Sequence, residues 1–291
     1  MIRVSAPAKI NLYLHVVGRR EDGYHELDSL VAFADIADVV TAQPAVGLSL
    51  VIDGPFAAAL AGGAADNLVL RTASLLAARF GVTAGAALRL TKNLPVASGI
   101  GGGSSDAAAA LRALQSLWNI AASPDELAAL AARLGADVPV CLLARTAWLG
   151  GIGEVLAAAP DLPPVAIVLV NPGIALATPS VFNARSGAFS APGRFAEEIP
   201  DAAALAAALR RRRNDLAAPA IGLVPAIGDV LARLGACDGA LLARMSGSGA
   251  TCFGLFPDDA AARAAAARLA GERPGWWVAA GRLATGDRGP P

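Results

Sequence analysis

Hydrophobic and polar positions along the chain divide it into short extended runs and longer helical ones. Residues 2–17 are strand-like in two pieces, broken and resumed across Ser5–Leu12 and ending at Val17. Gly18–Gly23 is a charged turn, and Leu30–Val40 and Leu48–Ile52 read as further strands. Residues 66–80 read as a helix that Asp66 or Asn67 can cap and that Gly81 ends. After a short strand at Ala87–Leu90, the segment Lys92–Asp106 leads into a second, alanine-rich helix. Ser123-Pro124-Asp125-Glu126 marks a third helix start, with serine as cap, proline in the first position and glutamate three residues on. That helix runs to Leu134 and stops at Gly135, and Ala136–Pro139 reads as a bend. Residues 145–156 form two short strands around a glycine-rich turn, and Pro160–Pro164 looks like a boundary. Beyond it come a strand at 165–171, helices over much of 178–235, and a strand–turn–strand unit at 240–256. A helix capped at Pro257-Asp258-Asp259 and a last strand at Trp277–Leu283 follow. Strands and helices mix in both halves, which implies an α/β or α+β fold divided near 150–160, and there is no internal repeat.

Composition narrows the class. A chain of 291 residues holds two domains or one large one. Mean hydropathy is +0.52, but alanine supplies much of it, and no window reaches the ~18 unbroken apolar residues of a membrane span. The best stretch, Val165–Ala177, is interrupted by Asn171, Pro172 and Gly173. The first residues lack both the basic-then-apolar pattern of a secretory leader and the Arg- and Ser-rich pattern of a transit peptide, so a cytoplasmic location is expected. Lys plus Arg and Asp plus Glu both number 24, a balance that gives no argument for nucleic acid as the main partner. The dense basic run Arg210–Arg213 reads as the solvated end of a helix that begins near Ala202. Cys141, Cys237 and Cys252 are scattered in apolar surroundings and read as small core residues of a reducing compartment. Of the basic residues only Lys9 and Lys92 are lysine, which singles out positions where a compact ammonium does what a planar guanidinium does not.

Five features carry candidate chemistry. Gly99–Ser105 stands at a helix N-terminus, where successive small residues turn backbone N–H groups and the positive end of the helix dipole toward an anion. It is not a Walker A loop, since no Gly-Lys-Ser/Thr ends it, nor a dinucleotide fingerprint, since Ser104 stands where the third glycine belongs. Ser246-Gly247-Ser248-Gly249 is either a second backbone wall around a phosphate chain or a hairpin turn. Asp137, at a helix–bend–proline junction, is a turn residue or a carboxylate that orients or deprotonates an attacking hydroxyl. Lys9 and Asn11 occupy alternate positions of one strand and so face one side, where a lysine could stabilise negative charge. Finally, the chain has two histidines and two tyrosines, and one of each stands together at Tyr24-His25, an aromatic ring and an imidazole suited to stacking on and hydrogen bonding to a planar base.

These pieces occur in a fixed order that resembles the GHMP small-molecule kinase superfamily. The resemblance runs from APAKINLYLHVVGRREDGYHEL through KNLPVASGIGGGSSDAAAAL to LGADVPVCL, GIGEVL, NPG, TPSVF, the Asn214-Asp215 pair and RMSGSGATCFGLF. PAKINL together with DGYHEL is similar to the branch that phosphorylates a cytidine diphosphate-linked methylerythritol on the non-mevalonate route to isoprenoids. The resemblance implies an α+β fold of two domains, 1–157 and 158–291, the first like the second domain of ribosomal protein S5 and the second ferredoxin-like, with ATP and a small-molecule acceptor in the cleft between. It implies γ-phosphate transfer to the 2-hydroxyl of the methylerythritol unit. Lys9 and Asp137 fall on catalytic positions, Asp137 as the base and Lys9 as its electrostatic support. Asn11, Tyr24, His25, Thr178 and Phe182 fall on acceptor-binding positions, the rings of Tyr24, His25 and Phe182 enclosing and reading the cytosine. Gly101, Gly102, Gly103, Ser104 and Ser105 match the phosphate loop, with Pro95, Ala97, Ser98, Gly99 and Ile100 leading into it and Asn67 and Lys92 near the adenine. Many relatives have Ala-Gly-Leu before the triple glycine, and Ala97-Ser98-Gly99-Ile100 departs from that. Mg²⁺ is expected with the ATP, held mainly by phosphate oxygens and water, since the chain offers no evident acidic ligand.

Overall fold

Residues Ile2–Arg19 form one continuous strand, β1, rather than two pieces. The expected break is bridged because the residues around Pro7 find partners off the strand. Ser105 Oγ donates to the Pro7 carbonyl at 2.7 Å and Lys9 N–H donates to the Ile100 carbonyl at 2.9 Å. The structure, a computed structural model, describes residues 1–61 and 67–284, so the candidate cap Asp66 lies outside the described residues.

After the Arg20–Gly23 turn comes β2 (His25–Ala45), longer at both ends than its most apolar stretch suggested. The order is then β3 (Leu48–Asp53), α1 (Leu68–Phe80), β4 (Gly85–Thr91), α2 (Gly102–Leu117), α3 (Pro124–Leu134) and α4 (Val138–Leu143). It continues with β5 (Ala147–Gly151), β6 (Val155–Ala158), β7 (Ala166–Asn171) and α5 (Thr178–Ala184). The last elements are α6 (Ala202–Arg210), α7 (Ala217–Leu223), α8 (Ala226–Gly235), β8 (Leu242–Met245), β9 (Cys252–Phe256), α9 (Asp259–Glu272) and β10 (Trp277–Arg282). Caps explain the helix limits. Asn67 Oδ1 accepts from Val69 N–H at 2.9 Å, and Gly81 closes α1 in the left-handed region. Ser123 and Glu126 form the reciprocal capping box at α3, and Asp258 caps α9 through Ala261 N–H. The expected bend at Ala136–Pro139 is instead the entry to α4, with Pro139 in its first turn, where a missing N–H costs nothing.

The chain divides into two compact units. The first comprises Met1–Ala8, Ala37–Val96 and Gly101–Ala144, and the second Lys9–Ile36, Ala97–Ile100 and Arg145–Pro291, so neither follows a single cut at 157/158. In the first unit β3 runs parallel to β4, β4 runs antiparallel to Val39–Ala45 of β2, and α1 to α4 pack on one another. In the second, Leu27–Val31 of β2 pairs with β5, and β5 with β6. A separate antiparallel sheet there has the order β10-β7-β9-β8. Its strands alternate with helices as βαββαβ and are ordered 4-1-3-2, which is the ferredoxin-like pattern. The core under this sheet includes Val168, Val170, Leu234, Met245, Phe256 and Leu269, joined by Leu14 and Val16 from β1. All three cysteines are free and buried. Among the described residues no helix is long and apolar enough to cross a membrane.

In the basic run at the end of α6, Arg210, Arg211 and Arg213 are exposed as expected, and Arg212 alone is half-buried. Arg212 donates to the carbonyls of Gly193 and Ala208 and lies over the Phe195 ring at 4.4 Å.

Candidate active site

In the first unit, the glycine-rich segment is part of a helix sooner than expected. Gly101 is the cap, in the left-handed region at φ 62°, and Gly102, Gly103, Ser104 and Ser105 already form the first turn of α2. Unsatisfied N–H groups of that turn are what an anion would meet. Ser105 is buried with its hydroxyl bound to Pro7, whereas Gly103 is exposed and Ser104 half-buried. Asn67 caps α1, and Pro95 is buried. Asp137 is half-buried at the start of α4, where its carbonyl accepts from Cys141 N–H at 3.1 Å.

Lys92 has a setting that the sequence did not announce. Its ammonium donates to Asp38 Oδ2 at 2.5 Å and to Asp106 Oδ2 at 2.7 Å, and the three side chains are 3, 0 and 4% exposed. Burial opposes the lysine's charge, but Asp106 and Asp38 outweigh it and raise its pKa. Burial pushes the Asp106 carboxyl up to about 7, with Asp38 adding to the rise and Lys92 opposing it. Asp38 Oδ1 also accepts the N–H groups of Asn93 at 2.5 Å and Leu94 at 2.8 Å. One signal pointed here, the rarity of lysine; Asp38 is one of two aspartates in the Leu30–Val40 stretch, and the pattern does not set it apart from Asp35.

The second unit holds the other candidates. Lys9 and Asn11 are buried on β1, two residues apart. Asn11 donates its N–H to Ser246 Oγ at 3.1 Å and its side-chain amide to Ser29 Oγ at 2.8 Å. The Ser246–Gly249 turn is therefore not a free hairpin tip. Ser246 Oγ donates to the Gly99 carbonyl at 3.0 Å, Thr251 N–H donates to the Ser98 carbonyl at 3.1 Å, and Ser248 Oγ lies 2.8 Å from Thr178 Oγ1. Asn214 holds the turn from behind, its amide donating to the carbonyls of Met245 and Gly247, both at 2.8 Å. A Cβ on Gly99 would lie 2.6 Å from the carbonyl oxygens of Ser246 and Gly249, so the two segments meet backbone to backbone. Ser98 is buried, and its carbonyl is part of this contact. Ala97 is exposed, at φ 51°.

The structure brings two of the three expected aromatic side chains into contact. His25 stacks on Phe182 with centroids 5.2 Å apart and planes 24° from parallel, while Tyr24 stands 61% exposed. Burial, then Arg19 and Arg185, lower the His25 pKa. The shift favours the neutral imidazole, which has one nitrogen to donate and one to accept. Thr178 and Phe182 come from α5, one turn apart, and share one face.

Residues 67–145 match the GHMP kinases N terminal domain, and residues 195–273 the GHMP kinases C terminal domain. The chain is 55% identical over 280 residues to the 4-diphosphocytidyl-2-C-methyl-D-erythritol kinase of Paramagnetospirillum magneticum, covering 96% of this chain and 98% of the relative. To the kinase of the same name from Rhodospirillum rubrum it is 54% identical over 279 residues, covering 96% and 91%. Among solved structures, a 4-(cytidine 5'-diphospho)-2C-methyl-D-erythritol kinase superposes with a TM-score of 0.78 at 40% identity, over 97% of this chain and 99% of the other. The homoserine kinase of Cytophaga hutchinsonii superposes with a TM-score of 0.76 at 18% identity, over 100% and 96%, a likeness of fold alone.

Proposed function

Because the chain belongs to the GHMP kinases, whose reaction is ATP-dependent phosphotransfer to a small molecule, we propose that its acceptor is 4-diphosphocytidyl-2-C-methyl-D-erythritol and its products are the 2-phosphate and ADP. The observation that carries this reading is the near-full-length identity to kinases of that name. The stacked His25–Phe182 pair agrees with it, since a neutral imidazole on an aromatic ring suits a planar, uncharged base such as cytosine.

In this reading the N–H groups at the start of α2 and the Ser104 hydroxyl take the nucleotide phosphates, with Ser105 holding the turn to Pro7, residues 95–100 shaping the approach and Asn67 flanking the purine side. The acceptor's 2-hydroxyl oxygen bonds to the γ-phosphorus, the bond from that phosphorus to the bridging oxygen breaks, and ADP leaves with the electron pair. Asp137 receives the hydroxyl proton, and Lys9 offsets the negative charge of the equatorial oxygens. Asn11, Tyr24, His25, Thr178 and Phe182 bind the acceptor. Mg²⁺ fits as an ion carried by the nucleotide. Among the described residues no three acidic, histidine or cysteine side chains gather to hold a metal, and Asp38 and Asp106 already face an ammonium. When bound, the ion neutralises phosphate charge. Three buried free thiols support a reducing, cytoplasmic location.

ADP release from ATP and Mg²⁺ with 4-diphosphocytidyl-2-C-methyl-D-erythritol tests the reading, with homoserine and mevalonate as competing acceptors. Turnover confined to the cytidylyl compound is expected. Asp137→Ala is expected to lower kcat by about a hundredfold or more with its melting temperature unchanged. Equal turnover of homoserine or mevalonate would remove the acceptor assignment.

A further inference from the structure

The segment 95–101 leaves the first unit's β4 and returns at α2, and both of its ends are tied to one buried charge group. At the leaving end, Asp38 accepts two successive backbone N–H groups, those of Asn93 and Leu94. The Lys92 backbone is held as well, its N–H on the Asp53 carbonyl at 2.7 Å and its carbonyl on Phe56 N–H at 3.1 Å. At the returning end, Asp106 stands four residues after Gly102, on the same face of α2 one turn further in. The Lys92 ammonium joins the two ends by bonding Asp38 and Asp106 together. It also reaches beneath the first helical residue: a Cβ on Gly102 would lie 3.1 Å from Nζ and 3.8 Å from Asp38 Oδ2. Glycine at 102 therefore leaves the space that the ammonium fills.

We propose that Lys92, Asp38 and Asp106 form a clamp that closes the base of the 95–101 loop and orients the first turn of α2 for the nucleotide phosphates, Lys92 and Asp106 acting as positioning residues. The proposal rests on the reading of Gly101–Ser105 as the phosphate site, and goes beyond it in replacing contact between Lys92 and the adenine by indirect action.

Two physical points favour a geometric role over a purely stabilising one. Buried ion pairs return little net stability after desolvation, and this group sets two carboxylates against one ammonium. Asp106 Oδ1 is buried without a hydrogen-bond partner in the structure, an arrangement that a device for stability alone would avoid. What the group supplies is direction: a compact ammonium with tetrahedral donors joins a strand end to a helix start.

The test uses the full chain and the variants Lys92→Met, Asp106→Ala and Asp106→Asn. Affinities for ATP and for 4-diphosphocytidyl-2-C-methyl-D-erythritol are measured separately by calorimetry, and amide hydrogen exchange is followed without ligand. Lys92→Met and Asp106→Ala are expected to weaken ATP binding about tenfold or more, while acceptor affinity stays within about twofold. Exchange should rise at 93–105 and not elsewhere. Asp106→Asn, which keeps an acceptor for the ammonium, should recover most of the ATP affinity lost in Asp106→Ala. A loss in Lys92→Met with none in Asp106→Ala would overturn the proposal in favour of direct contact. A parallel loss of both affinities would overturn it in favour of general support of the fold. Where Lys92→Met does not fold, the two Asp106 variants decide by the same criteria. If the wild type binds no ATP, the kinase reading falls, and exchange alone judges the clamp: unchanged exchange at 93–105 in Asp106→Ala overturns it.

Discussion

Two residues show how the same substitution acquires different consequences from its surroundings. Gly81 and Gly99 both have positive φ, 65° and 74°. A Cβ on Gly81 meets nothing within 4 Å, whereas on Gly99 it would be driven into two carbonyl oxygens at 2.6 Å. Gly81→Ala is expected to cost about 1 kcal/mol, the backbone penalty alone. Gly99→Ala should cost roughly 3 kcal/mol or more, because two backbone segments must separate. Denaturant titration of both variants checks the contrast. Asp106 gives a second test at this scale. Its folded pKa, about 7, lies above the ordinary carboxylate value of 3.8. Between these values the folded protein holds a proton that the unfolded chain releases, so the contribution of Asp106 to stability is fully present below about pH 4 and is lost as pH rises through about 7. The stability of wild type minus that of Asp106→Asn is expected to fall across that interval by roughly a few kcal/mol and then level off. A flat difference would show that Asp106 is ionised throughout.

At the scale of elements, the connection between α5 and α6 is long and irregular, yet it is strapped to β1 and β2. Ser190 N–H donates to the Val16 carbonyl at 2.9 Å, and His15 Nδ1 bonds the Ala191 carbonyl at 2.8 Å. Asp28 is the chief tie. Its carboxylate accepts from Tyr13 OH at 2.8 Å, Gly193 N–H at 2.6 Å and Arg194 Nε at 2.9 Å. Burial, then the bond to Asp28, raises the Tyr13 pKa, so the phenol stays protonated and donating. Trp148 and Phe195 meet edge to face beside it, 5.1 Å between centroids. Asp28→Ala strands a buried phenol and frees the strap at once. A loss of about 3 kcal/mol is expected in chemical denaturation, with proteolytic nicking concentrated at 186–200.

At the scale of the whole molecule, the two compact units interleave along the chain, the second taking Lys9–Ile36 and Ala97–Ile100 from among segments of the first. The ferredoxin-like sheet is complete within 158–291, but its core also uses Leu14 and Val16, and Asn214 pairs with Leu14 on β1. A fragment of residues 158–291 therefore leaves part of its core open to water. It is expected to show no cooperative thermal transition, while the full chain does; circular dichroism on both decides.

The sequence alone determined the features whose causes are local. Ser123 through Glu126 spelled a capping box that holds, Gly81 and Gly135 ended helices where they stand, and the apolar runs at 165–171 and 240–256 became strands. The family, too, was legible, because the motifs that carry it are contiguous. Tertiary structure decided what depends on residues far apart in sequence. Whether β1 breaks at Pro7 depended on Ser105 and Ile100. Whether Ser246–Gly249 is a turn or a wall depended on Gly99 and Asn214. Lys92 could be marked as unusual by counting, but its role depended on Asp38, 54 residues earlier, and Asp106, 14 residues later. A charge in a sequence carries no sign of its partner. Only burial, which makes an unpaired charge intolerable, forces the partner to be there.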